Sequence, residues 1–376
     1  MVKANFRFWV KVFLSAAILA GCSFRLNPSS LPTRVIELPF EQTNLSFDEL
    51  SYDAGLDRVI IPAAETGTLA LINPTTEEIQ LIQGFSKQIT STDRIVGTTS
   101  AISVQKIIYA LDRAARKIYI IDPGTRKIIN AADLEAEPEY LRFVSATNEI
   151  WVTEPALEQI EVFRLKSGSP PSLEKTQVIP VANGPEALLI DQSRGLAYTN
   201  QPEVGTTVVI QVMTHNIIDT WGNGCSKARG LALDPDRGLL FVVCNEGKLV
   251  LMDTNQDGLQ ITSQNYGGDL NFVVYNPTLS HVYLPSAASA VVAIFAVVDA
   301  PSPTSATPAN PGAAGGEETR LTPVPTPGVS LVRLGTADTA LNASCITVDN
   351  QNNLWICDPE NAQMIIIHDS FPPSGS

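Results

Sequence analysis

Short hydrophobic runs separated by polar turns recur along most of the chain. Taking one residue from each run as a reference, the intervals between successive references are 48, 42, 47, 43, 42 and 72 residues; the references are Ile61, Tyr109, Trp151, Tyr198, Phe241, Tyr283 and Trp355. Turn formers such as Asp53, Asp191 and Asp234 precede the runs and favour tight hairpins. Four short strands in each period of this length are typical of one β-propeller blade. The pattern therefore predicts an all-β fold, a seven-bladed β-propeller.

The two ends of this pattern complement each other. The last blade stops after its third strand, near residue 369, whereas residues 34–39 form a strand that has no blade of its own. We expect this N-terminal strand to close the last blade, because a closed ring leaves no sheet edge open to aggregation. The propeller is thus predicted over residues 34–371, followed by a tail at 372–376.

The long sixth interval contains a segment of low complexity. Residues 300–328 are rich in Pro, Thr, Ala and Gly and nearly free of large apolar side chains. Such a segment buries too little surface to offset its ordering entropy. Removing its 29 residues from the interval of 72 restores the ordinary period. We interpret it as a disordered insert between the third and fourth strands of the sixth blade.

The N-terminus has the form of an export signal. A basic segment precedes an apolar run at residues 12–20, which as a helix spans about 14 Å, roughly half of a bilayer core. This is typical of a signal peptide, here residues 1–21. The sequence Leu19-Ala20-Gly21-Cys22 resembles the lipobox of bacterial lipoproteins, the alternative being an ordinary secretory leader with an incidental cysteine. The resemblance implies lipidation of Cys22 and a tether at residues 22–33. The acyl chains on Cys22 would anchor the protein to the outer side of the cytoplasmic membrane, or to the outer membrane or cell surface.

One repeat resembles a known propeller family. Residues 227–258, with the stretches 228–236 and 248–254, are similar to a repeat of the YVTN or YncE-like propellers, and the resemblance extends more weakly over residues 34–369. It implies the fold more than a function, because related propellers serve as scaffolds, ligand binders, lactonases and quinoproteins.

The charge balance narrows the class of partner. The chain has 25 Lys and Arg against 39 Asp and Glu, a net charge of −14. Without Lys3, Arg7 and Lys11 of the leader the balance is 22 against 39, or −17. No stripe of basic residues occurs, so we expect no binding of nucleic acid.

Four cysteines besides Cys22 form two local pairs. Cys345 and Cys357 are equidistant from the centre of a predicted hairpin and would face each other across it. Cys225 and Cys244 belong to one blade, which also permits a bridge. Export to an oxidising compartment favours two disulfides, with buried free thiols as the alternative.

Motifs for catalysis or metal binding are sparse. His215, His281 and His368 lie in separate blades, none in a zinc-ligand spacing, and no nucleophile elbow, phosphate loop or dinucleotide fingerprint occurs. Residues 253–258 resemble the start of a calcium loop, but Ile261 and Gln264 stand where acidic ligands belong. We interpret the segment as a plain turn and assign no metal site and no cofactor, leaving a divalent cation as a less favoured option.

An acidic residue recurs in the loop between the second and third strands of the blades. The loops carry Glu65, Asp112, Glu154, Glu203, Glu246, Asp358 and Glu360. These loops project from one face of a propeller, around the mouth of its central channel. Independently solvated acids are one interpretation. The other is an acidic rim that binds a cationic ligand, a metal or a basic protein surface.

These observations favour a non-catalytic scaffold. We expect a lipid-tethered propeller that binds an envelope or extracellular protein or another ligand through its loops. The alternative is a lactonase-type or metal-assisted hydrolase with its site at the channel mouth. A quinone-dependent dehydrogenase is not supported, because the four tryptophans form no repeating motif.

Overall fold

The computed structural model describes residues 29–87, 97–299 and 328–374, which form seven small β-sheets. Two single turns of 3-10 helix, Pro155–Leu157 and Thr254–Gln256, are the helical elements of this described part. Five of the sheets follow the chain from an inner first strand to an outer fourth strand, and the other two each include an N-terminal strand at the outer edge. The chain is therefore a seven-bladed β-propeller, as the periodicity predicts.

The first three blades follow one another along the chain. Blade 1 contains β3 (Ser51–Asp53), β4 (Arg58–Pro62), β5 (Thr68–Ile72) and β6 (Ile79–Gln83). Blade 2 contains β7 (Thr98–Val104), β8 (Ile107–Asp112), β9 (Lys117–Asp122) and β10 (Lys127–Asp133). Blade 3 contains β11 (Leu141–Val144), β12 (Glu149–Glu154), β13 (Gln159–Lys166) and β14 (Ser172–Pro180).

The remaining blades complete the ring with the help of the N-terminal strands β1 (Ser29–Leu31) and β2 (Thr33–Glu37). Blade 4 contains β15 (Glu186–Asp191), β16 (Leu196–Gln201), β17 (Thr206–Gln211) and β18 (Asn216–Gly222). Blade 5 contains β19 (Ala228–Asp234), β20 (Leu239–Cys244), β21 (Lys248–Asp253) and β22 (Leu259–Asn265). Blade 6 contains β23 (Val274–Asn276), β24 (His281–Ser286), β25 (Val291–Asp299), β26 (Val329–Asp338) and β1. Blade 7 contains β27 (Ile346–Val348), β28 (Asn353–Asp358), β29 (Gln363–His368) and β2.

The reference residues of the sequence repeat all lie in the second strands. Each of the seven has a relative exposure of 1% or less. A second strand has neighbours on both sides in its own sheet and a blade against each face, so it buries nearly every side chain. This explains why the second strand carries the strongest hydrophobic signal of each repeat.

Strand β2 closes the ring as predicted. It pairs antiparallel with β29, from Thr33 opposite Ile367 to Glu37 opposite Gln363. Strand β1 was not foreseen. It lies in the segment assigned to the tether and pairs in parallel with β26, with Ser29 opposite Gly335. The N-terminal segment therefore joins the outer edges of blades 6 and 7.

The hydrophobic core is divided among the interfaces between blades. Within the described residues, seven clusters of buried side chains occur, and each combines residues from two successive blades. One of them packs Ile61 of blade 1 against Trp355 and Met364 of blade 7, which closes the circle. Burial of a large aliphatic or aromatic side chain contributes about 1.5–3 kcal/mol, so the stability of each blade depends on both of its neighbours.

Several predicted features lie outside the described residues. These are the signal peptide, Cys22 and most of the tether, and residues 300–327 of the insert. The insert leaves the sheet after Asp299 at the end of β25 and returns before Val329 at the start of β26, between the third and fourth strands of blade 6. In the ranges that the structure describes, no helix is long and apolar enough to cross a membrane.

Both predicted disulfides are present. Cys225 bonds to Cys244, with 5.3 Å between their α-carbons, and Cys345 bonds to Cys357, with 5.6 Å. The second bridge crosses the hairpin of β27 and β28, where Ile346 stands opposite Ile356 and places the two cysteines side by side. Each bridge joins the entry of a blade to the end of its second strand.

Candidate functional site

One face of the propeller carries a cluster of charged side chains close to the central axis. Because successive strands of a blade alternate in direction, the loops between second and third strands emerge on the same face as the segments that lead from one blade into the next. We call this face the loop face. The first strands start there, close to the central axis.

A polar residue recurs at one position near the start of the first strands. In blades 1 to 6 the residue five positions before the last residue of the first strand is polar: Asp48, Thr99, Glu139, Glu186, Arg229 and Asn271. These positions surround the axis at the loop face, and we call them the axial ring. A first strand is the innermost of its sheet, so the axial ring lines the channel mouth.

An ion pair across the axis locates the mouth of the channel. Arg142 of blade 3 donates from Nη1 to Glu49 Oε2 of blade 1 at 2.9 Å, and its other terminal nitrogen binds the second oxygen of the same carboxylate. Ser100 of blade 2 also donates to Glu49 at 2.5 Å. Blades 1 and 3 are not neighbours, so side chains from both can meet only near the axis. The bidentate geometry adds specificity to the contact.

Arg113, in the second loop of blade 2, joins two acids of the axial ring. Its Nη2 lies 3.4 Å from Asp48 Oδ2 and 2.5 Å from Glu139 Oε2, and its Nε donates to the carbonyl of Pro138 at 3.2 Å. Burial raises the pKa of Asp48 to about 8, opposed by Arg113 and reinforced by Glu139 and Glu49. Burial alone would lower the pKa of Arg113, but Asp48 and Glu139 raise it above its usual value. Asp48 therefore holds a proton at neutral pH while Arg113 stays charged.

The opposite side of the mouth carries a second, more open pair. Arg229 of blade 5 lies 3.2 Å from Glu186 of blade 4, and its side chain is 36% exposed. Burial raises the pKa of Glu186, and Arg229 partly offsets this effect. Nε of Arg229 lacks a hydrogen-bond partner here, and on the other side of the mouth Oγ1 of the buried Thr99 of blade 2 lacks one as well. Unsatisfied buried groups of this kind mark a place where a ligand can supply partners.

The cavity beneath the mouth is small. Its volume is about 70 Å³, and Glu49, Tyr140, Arg142 and Phe272 are among the residues that line it. Burial, followed by the neighbouring carboxylates Glu186 and Asp48, raises the pKa of Tyr140 well above its usual value. Pockets for drug-sized ligands have about 300–1,000 Å³. The mouth can therefore offer a charged, hydrogen-bonding surface but cannot enclose such a molecule.

Four of the acids proposed for the rim bind the backbone of their own blade. Each carboxylate accepts a hydrogen bond from a main-chain N–H in the segment that enters the blade. The pairs are Glu65 with Ser46 at 2.8 Å, Asp112 with Ser86 at 2.7 Å, Glu154 with Ala136 at 2.8 Å and Glu246 with Ser226 at 2.8 Å. The repetition has a structural reason, since each contact satisfies an N–H that leaves the sheet ladder.

The other rim candidates differ in environment. Asp358 is buried and accepts hydrogen bonds from the side chains of Asn361 and Gln363. Glu203 and Glu360 are exposed on their loops. The loop face thus carries all seven acids, but the cluster at the axis consists of other residues. The sequence signal that marks them is the polar residue in the axial-ring position.

Two of the three histidines link blades at the other face. His215 lies 2.9 Å from Glu149 of blade 3, and the buried His281 lies 2.7 Å from Asp369, which also accepts a hydrogen bond from Tyr283 at 2.8 Å. These contacts lie where first strands end, far along the axis from the mouth. They connect neighbouring blades and do not contribute to the axial cluster.

The fold defines the class of protein as a seven-bladed β-propeller with a charged axial mouth. No protein-family model matches the sequence, and no curated protein matches it significantly. Solved structures share the fold. The match to a mitotic checkpoint complex has a TM-score of 0.67 at 8% identity and covers 96% of this chain and 99% of that chain.

Two further structures match over similar lengths. Hydrazine synthase from Kuenenia stuttgartiensis gives a TM-score of 0.64 at 12% identity, covering 89% of this chain and 97% of that chain. Streptogramin B lyase gives 0.61 at 10% identity, covering 90% and 97%. At these identities the likeness establishes the fold alone.

Proposed function

We propose that this protein is an exported, lipid-anchored scaffold of the YncE-like type that binds a protein or peptide partner at the axial mouth of its loop face. The observation that carries the proposal is the Arg229–Glu186 pair at the mouth, in which Arg229 is partly exposed and its Nε has no hydrogen-bond partner. A partner that brings both a carboxylate and a hydrogen-bond donor complements this arrangement.

The size of the cavity supports a surface contact over an enclosed substrate. A cavity of about 70 Å³ holds two or three water molecules at the volume that water has in the liquid. The three arginines of the mouth, Arg113, Arg142 and Arg229, already contact carboxylates. A partner that covers the mouth from outside can form hydrogen bonds and ion pairs with these groups. It does not have to displace packed side chains.

The proposed location follows from the leader and is consistent with the disulfides. Cys22 is seven residues before Ser29, the first residue of β1. A chain of that length reaches at most about 25 Å, so a lipidated Cys22 would hold the outer edge of blade 6 near the membrane. Two disulfides suit an oxidising compartment outside the cytoplasm.

The test uses a charge swap at the exposed pair. Arg229→Glu reverses the local charge, and Arg229→Glu combined with Glu186→Arg restores the ion pair in the opposite orientation. If a partner binds here, both variants lose co-purification of the partner from envelope extracts, although the double variant keeps wild-type stability. Lys127→Glu, at an exposed site on the opposite face, is the matched control and should retain the partner.

Recovery of the partner by the double variant would show that the ion pair matters only for folding, and would contradict the proposal. Lipidation is tested separately by mass spectrometry of the mature N-terminus, with Cys22→Ala as the control. An unmodified Cys22 would refute the lipid anchor. It would not bear on binding at the mouth, which the charge-swap variants test.

A hydrolase is the second candidate, and Asp48 is the observation that favours it. Its pKa of about 8 keeps a carboxylic acid protonated at neutral pH, next to Arg113, as a general acid requires. The protein would then cleave lactones at the mouth. Hydrolysis by the wild type that Asp48→Asn abolishes would favour this candidate, and no turnover of a lactone panel would reject it.

A further inference from the structure

Three carboxylates of blade 3 converge away from the axis. Glu135 lies between β10 and β11, Glu154 ends β12, and Glu161 lies in β13. One oxygen from each lies within 4.8 Å of the others. Lys175 of β14 binds both Glu135 and Glu161. Three negative charges thus share one ammonium group, which leaves an excess of two.

A second observation distinguishes this cluster from an ordinary group of surface acids. Glu161 is fully buried, and its Oε2 has no hydrogen-bond partner. A buried carboxylate oxygen without a donor or cation is costly. Burial raises the pKa of Glu161, opposed by Lys175 and reinforced by Glu154. A proton or a positively charged ligand bound to Oε2 of Glu161 would therefore stabilise this carboxylate.

The donor atoms around the cluster are oxygens. Gln159 donates its amide N–H groups to Glu154 at 2.6 Å and to Glu135 at 3.2 Å, so it holds these two carboxylates together. Glu135 is 55% exposed and Lys175 34% exposed, so the cluster opens to solvent on one side. Three carboxylates at a partly exposed site suit Ca²⁺, which accepts irregular oxygen coordination, better than the strict octahedron of Mg²⁺.

We infer that Glu135, Glu154 and Glu161 form a calcium site in which Ca²⁺ competes with the ammonium group of Lys175. A bound Ca²⁺ supplies the partner that Glu161 Oε2 lacks and, with Lys175 displaced, offsets two of the three carboxylate charges. The ion would link the segment entering blade 3 to the second and third strands of that blade. The site is independent of the axial mouth.

Calorimetric titration of the mature protein with CaCl₂ tests the inference. The wild type should bind one Ca²⁺, and Glu135→Gln, at an exposed position that leaves the fold intact, should weaken binding about tenfold or more because one ligand charge is lost. Glu161→Gln should remove binding. Lys175→Met should bind Ca²⁺ more tightly than the wild type, because no ammonium group then has to be displaced.

Asp257→Asn is the matched control, because it changes the turn at residues 253–258 that resembles the start of a calcium loop. In that turn Asp253 already accepts hydrogen bonds from the Asn255 N–H and the Gln256 amide. The control should bind Ca²⁺ like the wild type. Loss of binding in Asp257→Asn, no binding by the wild type at millimolar Ca²⁺, or weaker binding by Lys175→Met would each overturn the inference.

Discussion

Replacing Asp48 with Asn should change how stability depends on pH: the variant should match the wild type below about pH 3.8 and be more stable than the wild type at neutral pH. Asn has the size of a protonated Asp, and burial keeps Asp48 protonated up to a pKa of about 8. The unfolded chain releases this proton at its ordinary pKa of 3.8. The contribution of Asp48 to stability is therefore complete below pH 3.8 and is lost as the pH rises towards 8.

The slope of this loss follows from proton linkage. Between the two pKa values the folded state holds one proton more than the unfolded state, so the free energy of unfolding falls by about 1.4 kcal/mol per pH unit. Between pH 5 and 7 the wild type should lose about 2–3 kcal/mol relative to Asp48→Asn. This estimate requires only that the window from pH 5 to 7 lies between the folded and unfolded pKa values of Asp48.

Urea unfolding at pH 5, 6 and 7, followed by tryptophan fluorescence, measures the difference. Trp151 and Trp355 are buried and report on the core. Parallel slopes for the two proteins would refute the reasoning. A loss of about 3–5 kcal/mol in Asp48→Asn at pH 7 would show instead that an ionised Asp48 pairs with Arg113.

Three further predictions concern the fold and the acids of the loop face. Deleting β1 and β2 should lower the free energy of unfolding by at least about 3 kcal/mol, because blade 7 loses a paired strand and a buried side chain. Deleting β1 alone should lower it less. Equal effects of the two deletions in thermal melts would contradict ring closure by β2. Changing Cys345 and Cys357 together to Ser should cost about 3 kcal/mol in urea unfolding by the loop-entropy estimate, and no change would mean that the bridge does not form. Glu154→Gln should cost about 1–2 kcal/mol and Glu203→Gln less than about 0.5 kcal/mol; equal costs would show that hydrogen bonding to the backbone does not separate these acids.

The fold could be predicted because each blade repeats the same burial pattern. A second strand such as β12, which contains Trp151, is buried along its whole length, and the side chains at its centre are apolar for this reason. The closing strand β2 could also be predicted, since Ile36 is buried in the pattern of an edge strand whose other side chains are exposed. A burial pattern that repeats from blade to blade therefore produces a hydrophobic pattern that repeats along the sequence.

Strand β1 could not be predicted because it has three residues and joins its sheet through backbone hydrogen bonds in parallel with β26. The axial cluster was missed for a different reason. Its ion pairs join residues from separate blades, as Glu49 and Arg142 do across 93 positions. Such pairs depend on the circular arrangement, which a repeat pattern indicates only in outline.

The acids of the loop face show how one residue type serves two purposes. Glu154 recurs at its position because a carboxylate there binds a backbone N–H, and this need repeats in several blades. Glu186 belongs to the axial ring and faces residues from other blades. Superposing repeats detects the first kind of acid and does not by itself reveal which positions approach the axis.

Site-specific photocrosslinking in the native envelope tests the central claim most directly. A photoreactive residue in place of the exposed Lys227, two positions before Arg229 on the loop face, should give a discrete crosslinked product with one partner, and the same residue in place of Lys127 on the opposite face should not. Crosslinks from position 127 and none from position 227 would contradict the assignment of the loop face as the binding surface.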